Sequence, residues 1–176
     1  MNYYIVIPTY NEEKFIALTL QSIVEQTVLP SKVVVVNDGS TDKTKEIVNS
    51  FVEKYSFIAT VNKSSDAIHL PGSKVIQAFQ KGLETLDDNY DIMVKIDADL
   101  IFPSNYFETI IKHFQSDERI GMVGGFCYIE KSGEERTRKN GQRQESPSSE
   151  RTNRRHNELT NLKASPPFEN VRSFPC

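Results

Sequence analysis

Residues 31–56 read SKVVVVNDGSTDKTKEIVNSFVEKYS. The four consecutive valines at 33–36 show no polar alternation, which is the pattern of a strand covered on both faces in a parallel sheet. Asn37, Asp38 and Gly39 then break the run with turn-forming residues. Ser40, Thr41 and Asp42 are candidate helix caps. Beyond them Ile47, Val48, Phe51, Val52 and Tyr55 recur at helical spacing and predict an apolar stripe. One strand, one tight polar loop and one helix thus lie in a row.

The same unit recurs on either side. NYYIVIP near the start is rich in β-formers, and Pro8 and Asn11 mark the loop after it. EEKFIALTLQSIVEQT follows as a helix, with Phe15, Leu18 and Ile23 on its apolar side. FIATVNKS predicts a third strand. PGSKVIQAFQKGLETLD predicts a third helix with Val75, Ile76, Phe79 and Leu83 inward. YDIMVKI predicts a fourth strand, and PSNYFETIIKHFQS a fourth helix with Pro103 near its start. MVGGFCYIE predicts a fifth strand. Strand and helix alternate four times, so the expected fold is α/β. It has a mostly parallel, Rossmann-like sheet, helices on both faces and right-handed crossovers.

Ligands of such sheets bind outside the carboxyl ends of the strands. Three polar loops fall there: PTYNEE at 8–13, NDGSTD at 37–42 and DAD at 97–99. A strand order 3-2-1-4 would set all three beside one crevice.

Composition narrows the class. With 176 residues the chain can bury one core, and 26% charged residues suit a globular protein. A net charge of −3 implies no general affinity for nucleic acid. Cys127 and Cys176 form neither a disulfide framework nor a metal-ligand spacing, so a reduced, cytoplasmic setting is expected. Cys127 reads as a small buried hydrophobe. No apolar run approaches the roughly 18 residues that span a bilayer, and membrane contact is expected to be peripheral at most. The N-terminus has neither a basic start nor a cleavage site of a signal peptide. His69 and His113 read as structural or surface residues, and Tyr3 and Tyr4 as core.

The character of the chain changes near residue 131. Residues 1–130 carry 11 Lys+Arg against 18 Asp+Glu, and residues 131–176 carry 10 against 6. The base also switches from lysine to arginine, and the later segment has no Ile, Tyr, Met or Asp. Its few apolar residues, among them Leu159, Leu162, Phe168 and Phe174, follow no period. Two domains are therefore expected: a folded unit over 1–130 and a basic, disordered tail over 131–176. The same abrupt change also fits a reading-frame shift, and both readings stand.

The chemistry lies in the loops. Asp97 and Asp99 alternate at a strand end, so in an extended chain both face one way. Paired carboxylates with water suit a hard cation, Mg²⁺ or Mn²⁺, completed by phosphate oxygens of a substrate. The bland reading of DAD alone is an exposed acidic turn. Asp38 reads either as part of a helix-capping turn or as an acceptor for a nucleobase or ribose, with Gly39 leaving room beside the backbone. Neither GxGxxG nor a P-loop GxxxxGK[ST] is present.

IPTYNEE, VVVVNDGSTDKT and KIDADL, in this order and spacing, resemble the family 2 glycosyltransferases, enzymes of GT-A fold that use nucleotide-diphosphate sugars. HLPGSKVIQAFQKGLE is similar to the glycine-and-basic segment of that family, although the family's Arg-Asn pair is absent. The resemblance covers residues 3 to about 130. It implies that Pro8, Thr9 and Tyr10 line the base and ribose, with Glu12 at the ribose side. It implies that Asp38 reads the base, typically uracil N3, and that Gly39, Lys74 and Ala98 border the donor. Asp97 would sit by the ribose or metal, and Asp99 would coordinate the metal that bridges the phosphates. The implied partner is a UDP-linked sugar, and the implied reaction is sugar transfer to an acceptor hydroxyl of a saccharide or lipid.

Inverting members of the family draw a general base from the C-terminal half. Here Glu134 and Glu135 stand too close to the fifth strand, and Glu145 and Glu150 have no helix around them, so no base is nominated. A truncated chain of this kind is expected to bind nucleotide and metal and to transfer sugar poorly. The alternative is a non-catalytic nucleotide-binding or interaction module.

Overall fold

The structure is a computed structural model that describes residues 1–63, 73–131, 134–137 and 162–164. Four strands, β1 (Tyr3–Thr9), β2 (Lys32–Asn37), β3 (Ile58–Asn62) and β4 (Ile92–Lys95), make one parallel sheet in the order β3-β2-β1-β4. Val6 stands opposite Val34 in the β1–β2 pair and opposite Lys95 in the β1–β4 pair. This is the α/β sheet expected, in the order expected. Each strand is followed by a helix: α1 (Ile16–Val24), α2 (Thr44–Lys54), α3 (Ser73–Leu83) and, after a two-residue strand β5 (Leu100–Ile101), α4 (Tyr106–Ser116).

The valine run explains the layering. Val33 and Val35 point into the larger core with Ile5, Ile7, Ile16, Leu20, Val48 and Phe107, which covers one face with α1, α2 and α4. Val34 and Val36 point the other way, with Val6, against Ala78, Phe79 and Leu83 of α3. All four valines are at most 3% exposed, and each contributes about 1.5 kcal/mol or more by leaving water.

The helices turn differently from their sequence pattern in two places. Val75 and Ile76 are exposed rather than inward. The face of α3 that meets the sheet runs instead through Ala78 and Gly82. A Cβ on Gly82 would lie 2.5 Å from Val6 Cγ1 and 2.9 Å from Val36 Cγ2, so small residues let this helix approach the valines closely. Leu18 of α1 is likewise exposed, while Thr19 and Ser22 are buried. His113 is half-buried on α4, and His69 lies outside the described residues.

The expected fifth strand is shorter and lies elsewhere. Residues 121–126 form no strand, since three glycines there offer no side chains to pack. β6 (Cys127–Lys131) joins a second sheet of order β5-β8-β6-β7, antiparallel to β7 (Glu134–Thr137) and β8 (Leu162–Ala164). The last two strands fall in the stretch read as tail. They are three or four residues long and rest on long-range backbone pairing, which leaves no periodic trace in the sequence. Cys127 is exposed, not buried.

Candidate functional site

At the carboxyl end of the parallel sheet lies a cleft of about 560 Å³. Pro8, Thr9, Tyr10 and Glu12 line it from the β1 loop, Asp38 from the β2 loop, and Asp97, Ala98 and Asp99 from the loop after β4. Lys74, Val75 and Ala78 of α3 form the remaining wall. The structure thus brings nine of the ten residues proposed from sequence around one cavity. Gly39 is outside it. It occupies an exposed turn with φ 74°, a left-handed conformation that glycine adopts at little cost.

The first two loops are laced together. Asn11 N–H donates to Ser40 Oγ at 3.0 Å, Glu12 N–H to Thr44 Oγ1 at 2.8 Å and Glu13 N–H to Asp42 Oδ2 at 3.2 Å. In return Thr41 N–H donates to Asn11 Oδ1 at 2.8 Å, and Lys43 N–H to Glu13 Oε2 at 3.1 Å. Asp42 also takes the Thr44 N–H, at 3.0 Å, in the first turn of α2. Burial alone would raise the Asp42 carboxyl, but the hydrogen bonds from Thr44 and Glu13 hold it below its ordinary value. PTYNEE and NDGSTD therefore act as one rigid wall.

The third loop is not the extended strand end that alternation suggests. β4 stops at Lys95, and Ala98 and Asp99 lie in a turn. The turn is anchored from beneath. Thr19 Oγ1 of α1 donates to the Ala98 carbonyl at 2.7 Å, and Ser22 Oγ accepts the Phe102 N–H at 3.2 Å. Gln26 spans the Pro103 carbonyl and the Phe107 N–H. Thr19, Ser22 and Gln26 were missed as site supports. Their signal is a polar row at helical spacing on a face that is otherwise apolar.

The carboxylates of this loop are uneasy. Burial raises the Asp99 carboxyl, its own backbone N–H works against that, and the like charge of Asp97 raises it further. Glu12 is raised by burial first and then by Asp99, Asp42 and Asp97. Among the described residues Asp97 alone of these three has a paired cation, Lys95 Nζ at 2.8 Å. The exposed Cys127 thiol lies near enough for burial and then the charges of Asp97 and Asp99 to raise it. Asp38 is buried against Lys63, 3.3 Å away, another residue that sequence reasoning missed. Among the described residues no three His, Cys, Asp or Glu side chains converge as a metal cage. Among those residues, too, no helix is long and apolar enough to cross a membrane.

A parallel α/β sheet of this order is the GT-A architecture. The sequence over residues 4–168 matches the family model described as glycosyl transferase family 2, and the chain belongs to that family. It is 32% identical over 127 residues to the uncharacterized glycosyltransferase MG025 of Mycoplasma genitalium, covering 71% of this chain and 40% of that protein. The chain thus spans less than half the length of this relative. Among solved structures it is similar to S. aureus TarS in complex with UDP-GlcNAc, at 25% identity and a TM-score of 0.54, over 67% of this chain and 32% of that one. The fold also matches the mannosyltransferase PcManGT from Pyrobaculum calidifontis, at 23% identity and a TM-score of 0.54, over 72% and 34% of the two chains.

Proposed function

We propose that the cleft binds a nucleotide-diphosphate sugar together with a divalent cation, as the donor side of sugar transfer to an acceptor hydroxyl. One observation carries this reading: β1 is flanked by a buried carboxylate, Asp38, on one side and by the Asp97–Asp99 pair on the other, and all three open on the same cavity. In this reading Asp38 accepts an N–H of the base, while Pro8, Thr9 and Tyr10 pack on base and ribose. Glu12 stands at the ribose side, and Lys74 reaches the base or the diphosphate. Gly39 serves through the turn that it permits. Residues 1–130 form the donor-binding unit, and strands β7 and β8 of the basic segment 131–176 pair with β5 and β6 beside it.

The donor set fits Mg²⁺ or Mn²⁺. Asp99 and Asp97 are hard oxygen ligands, and the strain between their charges is relieved by a cation. When bound, the metal neutralises charge on the departing diphosphate. Asp97 also keeps Lys95 beside the site, and Thr19 fixes the turn that presents both carboxylates. TarS, solved with UDP-GlcNAc, supports a UDP-linked donor.

Calorimetric titration with UDP tests the reading, first with Mn²⁺ and then with EDTA. Binding is expected with Mn²⁺, is expected to collapse with EDTA, and is expected to be lost in Asp99→Ala. A folded protein that ignores UDP and the other nucleoside diphosphates refutes a donor site. Binding that is indifferent to Asp99→Ala would favour the interaction-module reading.

A further inference from the structure

We infer that Lys63 is a positioning residue for Asp38 and thereby a determinant of which nucleobase the cleft accepts. The inference rests on the donor-site reading above and names a residue outside the cleft lining. Lys63 follows β3 directly, and its N–H donates to the Asn37 carbonyl at 2.9 Å. Its side chain turns inward and is only 13% exposed. The ammonium donates to Asp38 Oδ1 at 3.3 Å and to Gln77 Oε1 of α3 at 3.3 Å. It therefore ties together the end of β2, the end of β3 and the helix that forms the cleft wall.

The consequence lies at the other oxygen. The Asp38 side chain is only 8% exposed, and its Oδ2 accepts no hydrogen bond among the described residues. Asp38 lines the cleft, and among the described residues no buried polar side-chain atom is left without a partner. With Oδ1 held by a cation behind the wall, Oδ2 is left as an acceptor for the cleft. Lys63 holds the carboxylate acceptor in one orientation. Such an acceptor suits uracil, which presents an N3–H, and disfavours cytosine, whose bare N3 is itself an acceptor. A charged, directed hydrogen bond of this kind discriminates by about tenfold or more.

The test is calorimetry of the full chain with Mn²⁺, using UDP and CDP as probes, on wild type, Lys63→Met and Lys63→Arg. The wild type is expected to prefer UDP by about tenfold. Lys63→Met is expected to weaken UDP and to lose most of that preference, and Lys63→Arg to restore both in large part. If Lys63→Met binds UDP as wild type does, or weakens UDP and CDP equally, the inference is overturned and Lys63 is only structural. Should Lys63→Met fail to fold, Lys63→Gln keeps a donor without the charge and is read in the same way. If the folded wild type binds neither nucleotide, the donor-site reading itself falls, an outcome distinct from an unchanged UDP preference in the variants.

Discussion

The two ends of the parallel sheet carry similar residues in opposite electrostatic states. At the amino end Tyr3 Oη donates to the Val28 carbonyl at 2.6 Å, and Tyr4 Oη donates to Asp87 Oδ1 at 2.7 Å. Asp87 also takes the Lys32 ammonium and the Asn89 N–H. Lys32 first, then Tyr4 and Asn89, push its carboxyl down to about 2. At the carboxyl end Asp99 and Glu12 are shifted the other way, by burial first and then by neighbouring carboxylates, Asp97 for Asp99 and Asp99, Asp42 and Asp97 for Glu12. At one end the Asp87 carboxylate is closed in a network with Lys32, Tyr4 and Asn89. The other holds like charges together with too few counter-ions. Local rules of charge pairing are obeyed where the fold needs only stability and broken where a ligand is to be bound.

The largest expected effect separates the ends by function. Asp99→Ala should weaken Mn²⁺-dependent UDP binding about 100-fold, roughly 2.7 kcal/mol, while Asp87→Ala should leave it unchanged. Equal losses in calorimetry would break the contrast. Gly82→Ala comes next and should reach both the fold and the site. Its added methyl meets two valines inside van der Waals contact. Overpacking should cost about 1–3 kcal/mol, read as a lower midpoint in denaturant, with weaker UDP binding because α3 also carries Lys74 and Val75 of the cleft. A midpoint unchanged in Gly82→Ala would mean that α3 is free to shift off the sheet.

Much of this contrast was legible in the sequence, and its limits are physical. The valine run gave β2 its buried, two-faced place, and the polar loops after β1, β2 and β4 marked the cleft. Identity at those positions depends on local chain direction, which a pattern of period two or 3.6 records. Lys63 was not legible. Its role depends on meeting Asp38 across two strands, and a lysine after a strand reads as solvated surface. The orientation of α3 was misjudged because Val75 and Ile76 outweigh Ala78 and Gly82 in hydrophobicity, whereas close packing on valines selects the small residues. The turn at 98–99 escaped because an Asp-Ala-Asp sequence does not say where its strand stops. β7 and β8 escaped because such short strands are made by their partners.

The smallest expected effect is also the most direct test of the opposed shifts, because it needs no ligand. In metal-free protein Asp99→Asn removes a charge that the fold disfavours, so it should raise Tm at neutral pH by about a degree or two. Asp87→Asn removes a charge that the fold favours and should lower Tm slightly. The pH windows run in opposite senses. A carboxyl raised in the fold adds stability below its unfolded value, near 4, and loses that contribution as pH rises through the folded value. The advantage of Asp99→Asn should therefore be present at pH 7 and shrink as the solution is acidified through the carboxylate range. Asp87 behaves inversely: its contribution is present above about 4 and fades as pH falls towards about 2. The deficit of Asp87→Asn should thus vanish in acid as well. Melting curves of the three proteins between neutral pH and about pH 3 should converge from opposite sides of wild type. Curves that approach wild type from the same side would show that the two ends of the sheet do not differ in the way their partners imply.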